Sequence, residues 1–170
     1  RMIDPSLVRP HFPALQHEPA GRPPTAFFDG PGGTQVCREA MEGMQRYLVE
    51  RNANHGGAFL ASRESDALVL DARAAVCDLL GAPRPECIVF GQNMTSLTLH
   101  ISRSLALGLE PGDEVVVTRL DHDANVAPWL LVARDRGATV RWVDFDPAQC
   151  AWSLEELARQ VGPRTRIVAV

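Results

Sequence analysis

The stretch that decides the fold is Glu114-Val115-Val116-Val117-Thr118, followed by Arg119-Leu120-Asp121-His122-Asp123-Ala124-Asn125-Val126-Ala127-Pro128-Trp129. Three consecutive valines between polar ends read as a short strand buried on both faces, the mark of a parallel sheet. The polar run after it lies at the strand's carboxyl end, where open α/β sheets bind their ligands. Asn125 is the expected cap of the next helix, predicted over Asn125–Arg136, and Pro128 suits its first turn.

Working outward, the same alternation continues. Upstream, Cys87–Phe90 reads as a strand and Asn93–Leu107 as a helix closed by Gly108. Downstream come a strand at Thr139–Val143, a helix at Ser153–Gln160 and a strand at Arg166–Val170. Pro111-Gly112-Asp113, Gly137 and Gly162-Pro163 punctuate the turns. Short strands alternating with helices predict βαβ units, hence an α/β fold in three α/β/α layers around a mostly parallel sheet. Further upstream, a helix is expected from Glu64 or Ser65 to Leu80, capped by Gly81 and stopped by Pro83. Another is expected over Gln35–Arg51, capped by Thr34, with Val36, Ala40, Met44 and Leu48 as an apolar stripe. Ala26–Asp29 reads as a short strand, Gly30–Gly33 as a turn, and residues 1–25, rich in Pro and His, as an N-terminal arm. The chain ends on Ile167-Val168-Ala169-Val170, inside an apolar strand, so it is expected to be a segment of a longer protein.

Composition narrows the class. The chain has 170 residues, 45 % hydrophobic and 22 % charged, which suits a globular core. A formal charge of −4 is the wrong sign for a nucleic-acid partner. The apolar runs are too short to span a bilayer. No secretory leader pattern opens the chain, and the cytoplasm is expected. The four cysteines, Cys37, Cys77, Cys87 and Cys150, have no Cys-x-x-Cys spacing, which argues against zinc ribbons and redox pairs. All 17 basic residues are arginine; there is no lysine.

Three constellations could carry chemistry. In Val89-Phe90-Gly91-Gln92-Asn93-Met94-Thr95-Ser96 a strand runs into a helix through a small polar turn. The first N–H groups of that helix lack internal partners and favour an anion. Gly91 would let the backbone approach a ligand, with Asn93, Thr95 and Ser96 adding side-chain bonds; a plain N-cap is the simpler alternative. The second constellation is Asp121–Trp129. The His122 ring can stack on an aromatic ligand or move a proton near neutral pH. Asp121, His122 and Asp123 could instead hold a metal for a hydrolase, although alternation along an extended chain puts at most two on one side. The third is Asn52-Ala53-Asn54-His55-Gly56-Gly57 together with Gly30–Gly33, polar loops that could line a pocket. His11, His17, His100, Asp144 and Asp146 read as structural or surface residues. No Gly-x-Ser-x-Gly elbow, Walker loop or Gly-x-Gly-x-x-Gly is present.

Four blocks, in order, resemble the class V aminotransferase family, and most closely its cysteine desulfurase group. They are Phe27-Phe28-Asp29-Gly30-Pro31-Gly32-Gly33, Asn52-Ala53-Asn54-His55-Gly56, Phe90-Gly91-Gln92-Asn93-Met94-Thr95 and Asp121-His122-Asp123-Ala124-Asn125-Val126-Ala127-Pro128-Trp129. The last block is the specific one. The resemblance implies the N-terminal part of a fold-type I pyridoxal-phosphate enzyme, with residues 26–170 opening its large cofactor-binding domain. It implies that His122 stacks on the ring of pyridoxal 5'-phosphate and serves as the catalytic histidine of this segment. Met94 and Thr95 hold the phosphate with Asn93 beside them, Asn125 stands near the histidine, and Gly32 and His55 lie near the substrate or the dimer partner. It further implies an amino-acid substrate, cysteine desulfuration or transamination as the reaction, and a homodimer. The sequence departs from close desulfurases at Asn93-Met94-Thr95, which replaces Gly-Thr-Thr, at Asn54 and Ala58, which replace histidines, and at Asp123, which replaces a second histidine. These departures favour a desulfurase-like branch. The family's Schiff-base lysine has no counterpart here, so this segment alone is expected to be inactive. A metal-dependent hydrolase and a non-catalytic domain that keeps the fold are the rival readings.

Overall fold

The computed structural model describes residues 4–16, 21, 25–28 and 30–170, which group into two compact units, Arg1–Val89 and Phe90–Val170. Asp29 and His17 lie outside the described residues.

The first unit is helical. It holds α1 (Pro5–Val8), α2 (Arg38–Glu50) and α3 (Leu60–Leu80), with single 3-10 turns at Arg9–His11, Pro13–Leu15, Gly30–Gly32 and Pro85–Cys87. Ala26–Phe28 forms no strand. Helix α2 starts later than expected. Thr34 does not cap it, and extended Cys37 occupies the cap position without a side-chain bond. Thr34, Val36 and Cys37 are poor helix formers, and the helix begins where Arg38 and Glu39 take over. The predicted stripe is present but uncovered: Met44 is 65 % and Leu48 60 % exposed. Helix α3 starts four residues before Glu64, and Ser62 and Ser65, inside it, bond backward into the preceding loop. The Ser62 hydroxyl donates to the Asn54 carbonyl at 2.6 Å, and the Ser65 hydroxyl to that of Arg51 at 3.0 Å. Gly81 ends α3 as predicted, in the left-handed region (φ 63°) that glycine enters without strain. The expected strand at Cys87–Phe90 does not form. Ile88 is buried with an extended backbone (φ −93°, ψ 120°), but no described strand pairs with it.

The second unit is the α/β part. Helix α4 (Met94–Leu105) leads through the 3-10 turn Ala106–Gly108 to β1 (Glu114–Thr118). The 3-10 turn Asp123–Asn125 precedes α5 (Ala127–Arg136), then β2 (Thr139–Val143), α6 (Leu154–Gln160) and β3 (Thr165–Ala169). The strands form one parallel sheet in the order β2-β1-β3, with Val116 opposite Arg141 and Val168. Parallel neighbours need crossover helices, and α5 and α6 supply them. Val115 and Val117 are fully buried on one face, against Val126, Trp129, Val132 and Ala133 around α5 and against Ala106 and Leu109 after α4. Val116 and Val143 are as deeply buried on the other face. There the end of α6 and the residues Glu114 and Arg141 line one cleft. The three layers are therefore α4 and α5, the sheet, and α6.

Ion pairs fix the amino-terminal edge of the sheet. Arg166 Nε meets Asp113 Oδ1 at 3.0 Å, and an Arg164 amino group meets Glu114 Oε1 at 3.1 Å. The Glu110 backbone N–H, aided by Arg166, holds the Asp113 carboxyl below its ordinary range. No helix among the described residues is long and apolar enough to cross a membrane.

Candidate functional site

The candidate site lies where the loop after β1 meets α4. The loop after β1 carries His122, and the turn Asp123–Asn125 that follows it packs directly on α4. The start of α4 is capped by Asn93, whose side-chain oxygen accepts from the Ser96 N–H at 2.9 Å. That bond satisfies one of the orphan donors. The N–H groups of Met94 and Thr95 have no acceptor among the described residues, and the Thr95 side chain is exposed. Two free amides, the helix dipole and a hydroxyl form a donor set suited to a phosphate. Asn93 thus shapes the start through its cap. Gly91 also has a packing role: a Cβ there would lie 2.4 Å from Leu97 Cδ2 and 2.6 Å from Cγ. What comes close to Gly91 is the first turn of α4.

The His122 ring is exposed, and its Nδ1 accepts from the Ala124 N–H at 3.0 Å. With that lone pair engaged, the neutral ring carries its hydrogen on Nε2. The His122 backbone is fixed from the other side, where its N–H donates to Asp121 Oδ1 at 2.6 Å. Asn125 does not cap α5. It sits in the preceding 3-10 turn and donates through Nδ2 to Asp121 Oδ2 at 2.6 Å, while its Oδ1 accepts from Trp129 Nε1 at 3.1 Å. Val126 stands at the cap position of α5 without a side-chain bond, and His122 Nδ1 caps the 3-10 turn Asp123–Asn125 instead. Both Asp121 oxygens are engaged, and no group of three metal-ligating side chains is assembled among the described residues. Sequence reasoning missed the parts of Asp121 and Trp129. The signal was there: Asp121, Asn125 and Trp129 recur every four residues.

One more clamp holds this loop. Arg119 Nε bonds Asp144 Oδ1 at 2.7 Å, its guanidinium lies 4.5 Å from the centre of the Trp142 ring, and its N–H donates to the Val143 carbonyl at 3.1 Å.

The remaining candidates belong to the first unit. His55 Nδ1 lies 2.9 Å from Asp66 Oδ1, and the Gly56 N–H also bonds the Asp66 carboxylate. These contacts, His55 first, hold the Asp66 carboxyl below its ordinary range. Ser62 ties the same loop to α3 by accepting from the Gly57 N–H at 2.7 Å. Gly32 ends the 3-10 turn Gly30–Gly32, exposed and with open space around it.

The family model for aminotransferase class-V matches residues 26–170. The chain belongs to the class-V aminotransferase family. This class-V chain is 33 % identical to a probable cysteine desulfurase of Mycolicibacterium paratuberculosis, covering 99 % of the chain and 24 % of that protein. It is 32 % identical to aminotransferase-like protein FGM3 of Gibberella zeae, covering 95 % of the chain and 39 % of that protein. Among solved structures it resembles the cysteine desulfurase CsdA of Escherichia coli, with a TM-score of 0.77 and 28 % identity over 99 % of this chain and 41 % of that one. The class-V chain thus spans 24 % to 39 % of the length of these two curated relatives.

Proposed function

We infer that the whole protein is a pyridoxal-phosphate-dependent enzyme acting on an amino acid, in the cysteine desulfurase-like branch of its family or as a transaminase. The carrying observation is that His122, its ring fixed by the Ala124 N–H, follows β1 into a turn that packs on α4, whose first amides are free. The residues fit the cofactor. The Met94 and Thr95 amides and the Thr95 hydroxyl would hold its phosphate, and the exposed face of His122 would cover its ring. When bound, the cofactor supplies an electron sink that stabilises negative charge on the substrate carbon.

His122 offers two things to such chemistry. Its flat ring would cover one side of the site, and its Nε2–H can donate a hydrogen bond there without breaking the bond at Nδ1. Asn93 keeps the helix start ordered. All four cysteines are unpaired, which supports a reducing cytoplasm. A homodimer rests on the family resemblance alone.

The test compares pyridoxal 5'-phosphate with pyridoxal on the full-length protein, read by the visible absorbance of bound cofactor. A phosphate held at the start of α4 predicts at least about tenfold tighter binding of the phosphorylated form. It also predicts that Thr95→Ala narrows the difference. Equal binding of the two forms would contradict the phosphate site.

A further inference from the structure

We propose that Asn125 is a positioning residue for His122 rather than a ligand of the cofactor, acting through Asp121 with the buried Trp129 indole as its anchor. The proposal rests on the cofactor reading above and assigns the polar residues that reading leaves without a task. One hydrogen-bonded chain runs from the interior to the backbone of His122. Trp129, 5 % exposed, donates from Nε1 to Asn125 Oδ1 at 3.1 Å. Asn125 Nδ2 donates to Asp121 Oδ2 at 2.6 Å, and Asp121 Oδ1 accepts from the His122 N–H at 2.6 Å. The chain has a direction. The indole can only donate, a carboxylate can only accept, and the amide between them does one at each end. The amide oxygen and one amide hydrogen are therefore engaged within the protein. Asp121 in turn pins the backbone at His122, so the height and tilt of the exposed ring depend on a buried tryptophan two bonds further back.

Direction makes the proposal testable by exchange. In Asn125→Asp two carboxylates face each other and the bond to Asp121 is lost. In Asp121→Asn two amides meet, and one must turn at the cost of another partner. The double variant Asp121→Asn/Asn125→Asp rebuilds the chain. The amide at 121 accepts from the His122 N–H and donates to the carboxylate at 125, whose other oxygen still accepts from Trp129.

The experiment measures the visible circular dichroism of pyridoxal 5'-phosphate bound to full-length enzyme, which reports how the ring is held, together with cofactor affinity. Each single variant should alter the dichroic band and weaken binding about tenfold, the size of one lost charge-assisted bond. The double variant should return both to within about threefold of the parent, since coupled sites are not additive. Trp129→Phe keeps most of the packing and removes only the donor, and should shift the band the same way by less. It carries the test if a single variant fails to fold. Single variants with an unaltered band, or a double variant no better than the singles, overturn the proposal while the cofactor reading stands. A band that His122→Ala leaves untouched overturns the stacking reading, and this proposal falls with it.

Discussion

Asn93 shows how one side chain can serve fold and site together. Its oxygen satisfies the Ser96 N–H, which leaves the Met94 and Thr95 amides as the donors that face outward. Asn93→Ala should lower the stability of full-length enzyme by about 1 kcal/mol, the usual cost of a lost N-cap, measured by urea unfolding. Asn93→Ser should restore most of it. Equal loss in both would mean that the cap is unimportant here. At this scale the sequence was legible where a residue type has few options. Asn before an apolar helix reads as a cap, and Asn93 is one. It was less legible at Asn125, where cap chemistry and a bond to a side chain four residues away look alike. The indole of Trp129 decided the outcome.

At the scale of elements, the close contact of Gly91 with Leu97 joins the incoming loop to α4. Gly91→Ala should destabilise full-length enzyme by about 1–3 kcal/mol, as overpacking does. Leu97→Ala in the same protein should cancel part of that loss, so that the double variant is less harmful than the sum. Strict additivity would show that the two do not touch. The sheet elements were legible because β1 and β2 are apolar or branched runs bounded by turn residues, and Gly81 and Gly137 end their helices in the left-handed region. Two strand expectations failed for a reason of pairing. Ile88 is extended and buried, yet a strand exists only where another pairs with it, and periodicity does not reveal partners. The start of α3 was misread because Ser65 looks like a cap while bonding a loop carbonyl.

Over the whole molecule, charge pairing makes stability depend on acid. The carboxyls of Asp66, Asp113 and Glu156 are all held below their ordinary range, by His55, by the Glu110 N–H and by Arg159 respectively. A depressed carboxyl releases its proton more readily in the folded chain than in the unfolded one. Its contribution is therefore complete above the unfolded value, about 4, and disappears as pH falls through the folded value. The full-length protein should keep a level melting temperature from pH 7 to about 5 and lose it steeply below about 4. Asp113→Asn should melt lower at pH 7 and show a shallower acid slope. An unchanged slope would mean that Asp113 takes no part in the acid loss.

The central claim is that the ring of His122 lies over a bound pyridine, and the visible absorbance of pyridoxal 5'-phosphate on full-length protein tests it most directly. The account predicts that His122→Ala shifts or weakens that band and loosens the cofactor about tenfold or more, as loss of an aromatic stack and its ordered neighbours should. A band of unchanged position, strength and affinity in His122→Ala would contradict it.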